Sequence, residues 1–183
     1  MASGFQRVKV QAMFEAFDVD GDGYLEGSDF EALAGRWERL PRVAAEPELA
    51  ARVRTVMMSW WEHLATNGGE GRVERIGMAE LMAMVDRLPA MPQAVTATAD
   101  TIFDAVDENG DGRISQGEHE RLINTWHGRT LPAGDVFERL DQDGDGYLSR
   151  PEFAALWLQF WISDDPGEPG NLMCGPVTGT PAG

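Results

Sequence analysis

Asp141-Gln142-Asp143-Gly144-Asp145-Gly146-Tyr147-Leu148-Ser149-Arg150-Pro151-Glu152 carries acids at its first, third, fifth and twelfth residues and a glycine at its sixth. Two more stretches repeat the arrangement: DVDGDGYLEGSD at residues 18–29 and DENGDGRISQGE at residues 107–118. A hard divalent cation of calcium's size takes six to eight oxygens at about 2.3–2.6 Å, so a short loop that encloses one must offer ligands from alternating positions. It must also turn sharply midway. Gly23, Gly112 and Gly146 permit that turn, because a residue without Cβ reaches positive φ without steric cost.

The spacing is that of the calcium loop of an EF-hand. In the first loop the expected ligands are Asp18, Asp20, Asp22, the carbonyl of Tyr24, and Asp29. The next intact loop offers Asp107, Asn109, Asp111, the Arg113 carbonyl and Glu118; the last offers Asp141, Asp143, Asp145, the Tyr147 carbonyl and Glu152. Position 7 contributes only its backbone oxygen, so its side chain is free to vary. Position 12 sits on the outgoing helix, where a glutamate reaches back with both oxygens. Asp29 is one methylene shorter and suits a smaller octahedral ion, so the first site is expected to take magnesium as well as calcium.

A fourth loop lacks the ligands. With Val73 as the apolar position 8, residues 66–77 fall into register, Gly71 at the turn and Glu70 at position 5. Thr66, Gly68 and Gly77 would then stand at positions 1, 3 and 12, so no metal is expected there. Its expected role is structural. Paired hands meet through their position-8 residues, Leu25 against Val73 and Ile114 against Leu148.

Apolar residues recur at helical spacing around every loop: Phe17, Val106 and Leu140 before the intact ones, Phe30, Leu122 and Phe153 after them. The fold expected is all-α: four EF-hands in two pairs, packed into one compact globule with short two-stranded contacts between paired loops. Residues 1–88 form the first pair and residues 89–162 the second, with a hinge at Pro89 to Pro92. Residues 163–183 form an irregular tail, whose Leu172, Met173 and Val177 either fold back over the helices or stay unpacked.

The net charge of −16 is concentrated in the loops, which hold 13 of the 31 acids. Such a chain repels nucleic acid and anionic membranes, and metal should stabilise it by relieving repulsion within each loop. One cysteine, Cys174, excludes an internal disulfide. No apolar run spans a bilayer and Met1 to Val10 lacks a signal peptide's core, so a cytoplasmic monomer is expected. His63, His119 and His127 stand in no zinc spacing and read as solvated surface residues. No nucleophile motif or phosphate loop occurs, so a non-enzyme is expected.

Three intact hands with a degenerate second, the aspartate at position 12 of the first loop, and tryptophans 37, 60, 61, 126, 157 and 161 resemble the sarcoplasmic calcium-binding proteins and their bacterial relative calerythrin. The resemblance implies two halves packed face to face and a role in holding or buffering calcium. The alternative is a sensor that exposes an apolar groove to a protein target, for which Met57, Met58, Met78, Met82, Met84 and Met91 would serve. Large tryptophans in both halves and a short apolar connection favour the buffer.

Overall fold

The computed structural model describes residues 4–66, 71–90, 92–132 and 134–176. Its helices are α1 (Gly4–Phe17), α2 (Gly27–Trp37), α3 (Pro41–Ala45), α4 (Pro47–Ala65), α5 (Met78–Val85), α6 (Pro92–Val106), α7 (Gln116–His127), α8 (Val136–Leu140) and α9 (Arg150–Ile162). Short 3-10 turns follow at Leu88–Ala90 and Pro169–Leu172, and two strands, β1 (Arg113–Ser115) and β2 (Tyr147–Ser149), complete the order. The fold is thus the all-α EF-hand arrangement, and among the described residues strand structure is confined to the contacts between loops.

The last residue of each loop lies in the first turn of the next helix. Ser115 caps α7 and Ser149 caps α9, and in each case the glutamate three residues on, Glu118 or Glu152, reaches back to the serine amide at 2.8 Å. This reciprocal box satisfies amides that an α-helix leaves without partners at its start. Asp29 does the same for α2, its Oδ2 2.8 Å from the Glu26 amide. One carboxylate therefore ends a loop and nucleates a helix.

β1 and β2 pair antiparallel with Ile114 opposite Leu148, as expected. The first pair differs from the expected register. Leu25 bridges Ile76, not Val73, with backbone bonds of 2.8 and 3.0 Å. Ile76 is 0% exposed and Val73 44%. Val73 instead donates its amide to Ala65 at 2.9 Å, so the chain leaving α4 uses additional residues before it reaches the bridge. Ile76 therefore takes position 8 and the degenerate loop runs over residues 69–80. Glu70, the expected position-5 acid, lies outside the described residues.

The two halves meet on aromatic rings. Phe17 and Trp60 from the first half pack on Trp126, Trp157 and Trp161 of the second, with centroid separations from 5.2 Å (Phe17–Trp126) to 6.5 Å (Trp60–Trp157). Offset and edge-to-face geometries of this kind stabilise beyond simple area burial. Charged groups fasten the rim. Asp104 on α6 accepts from Arg52 of α4 at 2.9 Å and from Arg150 of α9 at 2.7 Å. Burial raises the Asp104 pKa, and the two guanidinia more than reverse the rise. Arg36 of α2 donates to the Trp126 carbonyl at 2.8 Å, capping the end of α7, where Gly128 turns left-handed at φ 66°. A Cβ on Gly128 would lie 2.6 Å from the Arg36 Cζ, so close approach as well as φ requires glycine.

The tail folds back as far as it is described. Gly170, Asn171, Met173 and Cys174 are buried, and a Cβ on Gly170 would lie 2.5 Å from the Leu156 carbonyl. Lys9 of α1 donates to the Ser163 carbonyl at 2.7 Å and to Asn171 Oδ1 at 3.0 Å; the Asn171 amide donates to Asp165 and Glu168 carbonyls. Two histidines expected on the solvated surface hold this tail. His119 is fully buried with Nε2 2.9 Å from the Met173 carbonyl, and half-buried His127 places Nε2 2.8 Å from the Cys174 carbonyl. Burial lowers the His119 pKa to about 4, so its ring is neutral. Val177 falls outside the described residues.

Candidate metal centre

In loop 1, residues 18–29, the amides of the turn hold the acids in place. Asp18 Oδ1 accepts from Gly21 at 2.8 Å and Oδ2 from Gly23 at 3.0 Å; Asp20 Oδ1 accepts from Asp22 at 3.1 Å, and Asp22 Oδ1 from Tyr24 at 2.9 Å. Loop 4, residues 141–152, repeats the network. Asp141 accepts from Gly144 and Gly146, both at 2.9 Å, Asp143 from Asp145 at 3.2 Å, and Asp145 from Tyr147 at 2.8 Å. In loop 3, residues 107–118, Asp107 accepts from Asp111 and Gly112 at 3.1 Å, Asn109 from Asp111 at 2.9 Å, and Asp111 from Arg113 at 3.0 Å. The geometry requires glycine at position 6, where Gly23, Gly112 and Gly146 have φ of 84°, 80° and 86°.

The arrangement converges several oxygens on one point. In Asp18, Asp20 and Asp22, and again in Asp141, Asp143 and Asp145, one carboxylate oxygen per residue lies within 4.8 Å of the others. Loop 3 brings together Asp107 and Asp111 with the amide of Asn109, whose Nδ2 lies 3.1 Å from Asp111 Oδ2. An all-oxygen donor set of this charge fits a hard divalent cation. The residues that would hold it are those at positions 1, 3, 5 and 12 with the position-7 carbonyl. Such an ion would supply the positive charge that these clustered acids lack.

The acids at position 12 differ. Glu118 spans loop 3, with Oε1 2.9 Å from the Glu108 amide and Oε2 on Ser115. Asp29 makes the same span with its shorter arm, 3.0 Å to the Val19 amide and 2.8 Å to Glu26. Glu152 places Oε2 on the amide and hydroxyl of Ser149. Burial raises the Asp29 pKa against the pull of the Glu26 and Val19 amides, and the charges of Asp20 and Asp18 add to the rise. Asp143 is raised too: desolvation, the Asp145 and Glu152 charges and a bond shared with Asp141 outweigh the Asp145 amide. Like charge around the loops contributes to both shifts, second to burial at Asp29.

Several residues near the loops escape a reading by spacing alone. In its true register the degenerate loop has Gly71 at position 3, Val73 at position 5, Glu74 where the other loops have glycine, and Glu80 at position 12. Glu80 Oε2 accepts from the Gly77 amide at 3.0 Å, matching Glu118 on Ser115 and Glu152 on Ser149. The acid is retained while the other oxygens are gone. Its signal was an apolar residue four before an acid, shared by Ile76 and Glu80, Ile114 and Glu118, and Leu148 and Glu152. Two arginines approach from distant sequence and have no such signal. Arg42 of α3 lies 3.4 Å from Asp107 Oδ2 and donates to the Asp107 carbonyl at 2.8 Å. Arg75, beside Ile76, reaches Asp22 and Glu26 in loop 1.

Comparison with known proteins agrees with the geometry. Family profiles described as an EF-hand domain pair match residues 97–158 and 74–118, and one described as an EF hand matches residues 10–34. A sarcoplasmic calcium-binding protein of Hediste diversicolor is 31% identical over 117 residues, which cover 61% of this chain and 63% of that protein. The matched region thus spans less than two thirds of that relative's length. Among solved structures, a sarcoplasmic calcium-binding protein from amphioxus superposes with a TM-score of 0.71 at 18% identity, covering 96% of this chain and 99% of that one. A Streptomyces coelicolor calcium-binding protein, described in terms of prokaryotic calcium-mediated regulation, superposes with a TM-score of 0.66 at 24% identity, covering 87% of this chain and 98% of that one. At these identities the structural likeness concerns the fold.

Proposed function

We propose, from the premise that the chain belongs to the EF-hand family and binds calcium, that it is an intracellular calcium buffer or carrier with three sites, in loops 1, 3 and 4. The acids that would hold the ions are Asp18, Asp20, Asp22 and Asp29; Asp107, Asp111 and Glu118, with Asn109; and Asp141, Asp143, Asp145 and Glu152, each set completed by the carbonyl of Tyr24, Arg113 or Tyr147. The degenerate loop pairs with loop 1 and takes no metal. The first site, with its aspartate at position 12, accepts magnesium as well. Residues 1–88 and 89–162 act as two paired units, and no catalytic step belongs to this reading.

One observation favours a buffer over a sensor. The faces that a sensor would open are already packed on each other, Trp60 and Phe17 against Trp126, Trp157 and Trp161. A buffer changes compactness on binding and keeps this interior closed, whereas a sensor exposes an apolar groove. A single feature supports the second reading: a cavity of about 310 Å³ lined by Phe17, Trp60, Leu64, Leu81, Met84 and Trp161 among others. Binding of an apolar fluorescent dye separates the two. Greater dye binding in chelator than in calcium is the buffer's result; strong calcium-dependent binding would establish the sensor. Glu152→Gln should remove the highest-affinity event in a calorimetric calcium titration, and survival of that event would refute the ranking of loop 4 as tightest.

A further inference from the structure

The loop without an oxygen cage reaches into the neighbouring loop that has one. The Leu25–Ile76 bridge fixes the residue before Ile76 against loop 1, and that residue is Arg75. Its Nη2 lies 3.3 Å from Asp22 Oδ2, its Nε 2.5 Å from Glu26 Oε1, and its Cζ 5.1 Å from the centre of the Tyr24 ring. These partners are positions 5, 9 and 7 of the loop. Asp22 Oδ1 accepts from the Tyr24 amide and Oδ2 faces Arg75, so the guanidinium sits on a carboxylate assigned to the cation. The corresponding residue of the second pair, Arg113, stacks on Tyr147 at 4.1 Å but turns to its own loop, 3.9 Å from Asp111 Oδ2. Among the described residues no arginine ion pair involves Asp141, Asp143 or Asp145.

We propose that Arg75 is a resident counter-cation of loop 1, which competes with the metal for Asp22 and thereby sets the affinity of the first site and its dependence on salt. The inference rests on the reading of residues 18–29 as a metal loop. Two partners of different strength make the competition workable. When a divalent ion takes Asp22 Oδ2, the guanidinium keeps Glu26 and the face of Tyr24, so it swings aside without losing every contact. It then remains a like charge beside the ion and lowers the site's affinity. In the metal-free protein it neutralises part of the loop and keeps the bridge between the two hands intact. The degenerate hand thus tunes its partner through a cation where it has lost its own.

Residue-resolved NMR titration of the full chain with calcium tests this, with the amides of Gly23, Gly112 and Gly146 reporting loops 1, 3 and 4. In Arg75→Gln the Gly23 midpoint should fall by about three- to tenfold, a size set by a half-exposed charge in a solvent-screened setting. The gap from wild type should shrink as salt is raised, because the interaction is screened beyond a Debye length of about 8–10 Å at moderate ionic strength. Gly112 and Gly146 should titrate as in wild type, and Arg75→Lys, which keeps the charge, should restore the Gly23 midpoint to within about twofold of wild type. In the metal-free wild type the Arg75 Nε–H resonance should shift on calcium addition. A Gly23 midpoint that stays in place or rises in Arg75→Gln overturns the proposal. A Gly23 signal indifferent to calcium in wild type overturns instead the reading of loop 1 as a site, and this inference with it.

Discussion

The two pairs of hands share one frame and use it differently. In the second pair both loops converge oxygens on a centre and three residues of each form a ladder, Arg113 with Ser149, Ile114 with Leu148 and Ser115 with Tyr147. In the first pair one loop has lost its cage and the ladder is a single bridge between Leu25 and Ile76. Both pairs nevertheless bury their position-8 residues completely, and both keep an acid at every position 12. The apolar contact between loops and the helix cap are thus separable from metal binding. A hand can lose its ligands and stay a hand, because burial of Ile76 and the Glu80 to Gly77 bond do not depend on an ion.

Removing metal should divide the pairs most strongly. Each ion that binds only the folded state contributes about 4 kcal/mol at a thousandfold excess over its dissociation constant. Calorimetry in calcium and in chelator should show a large fall in melting temperature on chelation. Hydrogen exchange should locate more of the lost protection at the Ile114 and Leu148 amides than at those of Leu25 and Ile76. Equal loss in both pairs would erase the distinction between them.

The register of the degenerate loop gives the next contrast. Ile76→Ala removes buried methyls and should cost about 2–4 kcal/mol in denaturant unfolding, while Val73→Ala, at an exposed site, should change stability by less than about 0.5 kcal/mol. The reverse order would restore Val73 to position 8.

Lys9, the chain's one lysine, ties the first helix to the tail of the second pair. Burial lowers its pKa to about 8 from 10.5, against the attraction of Asp164 and Cys174. Between pH 8 and 10.5 Lys9 therefore binds more protons in the unfolded chain than in the folded one and contributes a rise in stability with pH of up to about 3 kcal/mol, opposed by Cys174, whose buried thiol is pushed well above its ordinary 9. Lys9→Met should abolish this rise relative to wild type. An unchanged pH profile would mean that the ammonium is solvated and does not secure the tail.

The smallest effect concerns the clamp of loop 1. Asp29→Glu restores the arm present in loops 3 and 4 and should raise preference for calcium over magnesium at this site on the order of tenfold. The Gly23 resonance in a magnesium competition measures it. Indifference would remove the chemical difference drawn between the first site and the other two.

Local chemistry was legible residue by residue. Asp18, Asp20, Asp22 and their counterparts announce a loop around a cation because ligand spacing along twelve residues is a covalent property of the chain, and Gly23, Gly112 and Gly146 announce its turn for the same reason. The pairing of Ile114 with Leu148 followed, since intact loops fix which residue is eighth. Where the oxygens had been lost, the ruler was lost with them. Val73 and Ile76 are both apolar and β-branched and Gly71 resembled a turn; the acid four residues after Ile76 is the one local hint, and the bridge to Leu25 decides between the two registers.

By itself the sequence determined the helix-loop-helix units, their number and the all-oxygen character of three of their loops, because each depends on groups at most a dozen residues apart. The tertiary structure alone decided which loop residue of the degenerate hand meets Leu25, where the tail is held by His119, His127 and Lys9, and which acids receive Arg42 and Arg75. Those contacts join segments tens of residues apart, and long flexible side chains reach partners set by helix packing. Apart from the four-residue step from Ile76 to Glu80, no local pattern encodes them.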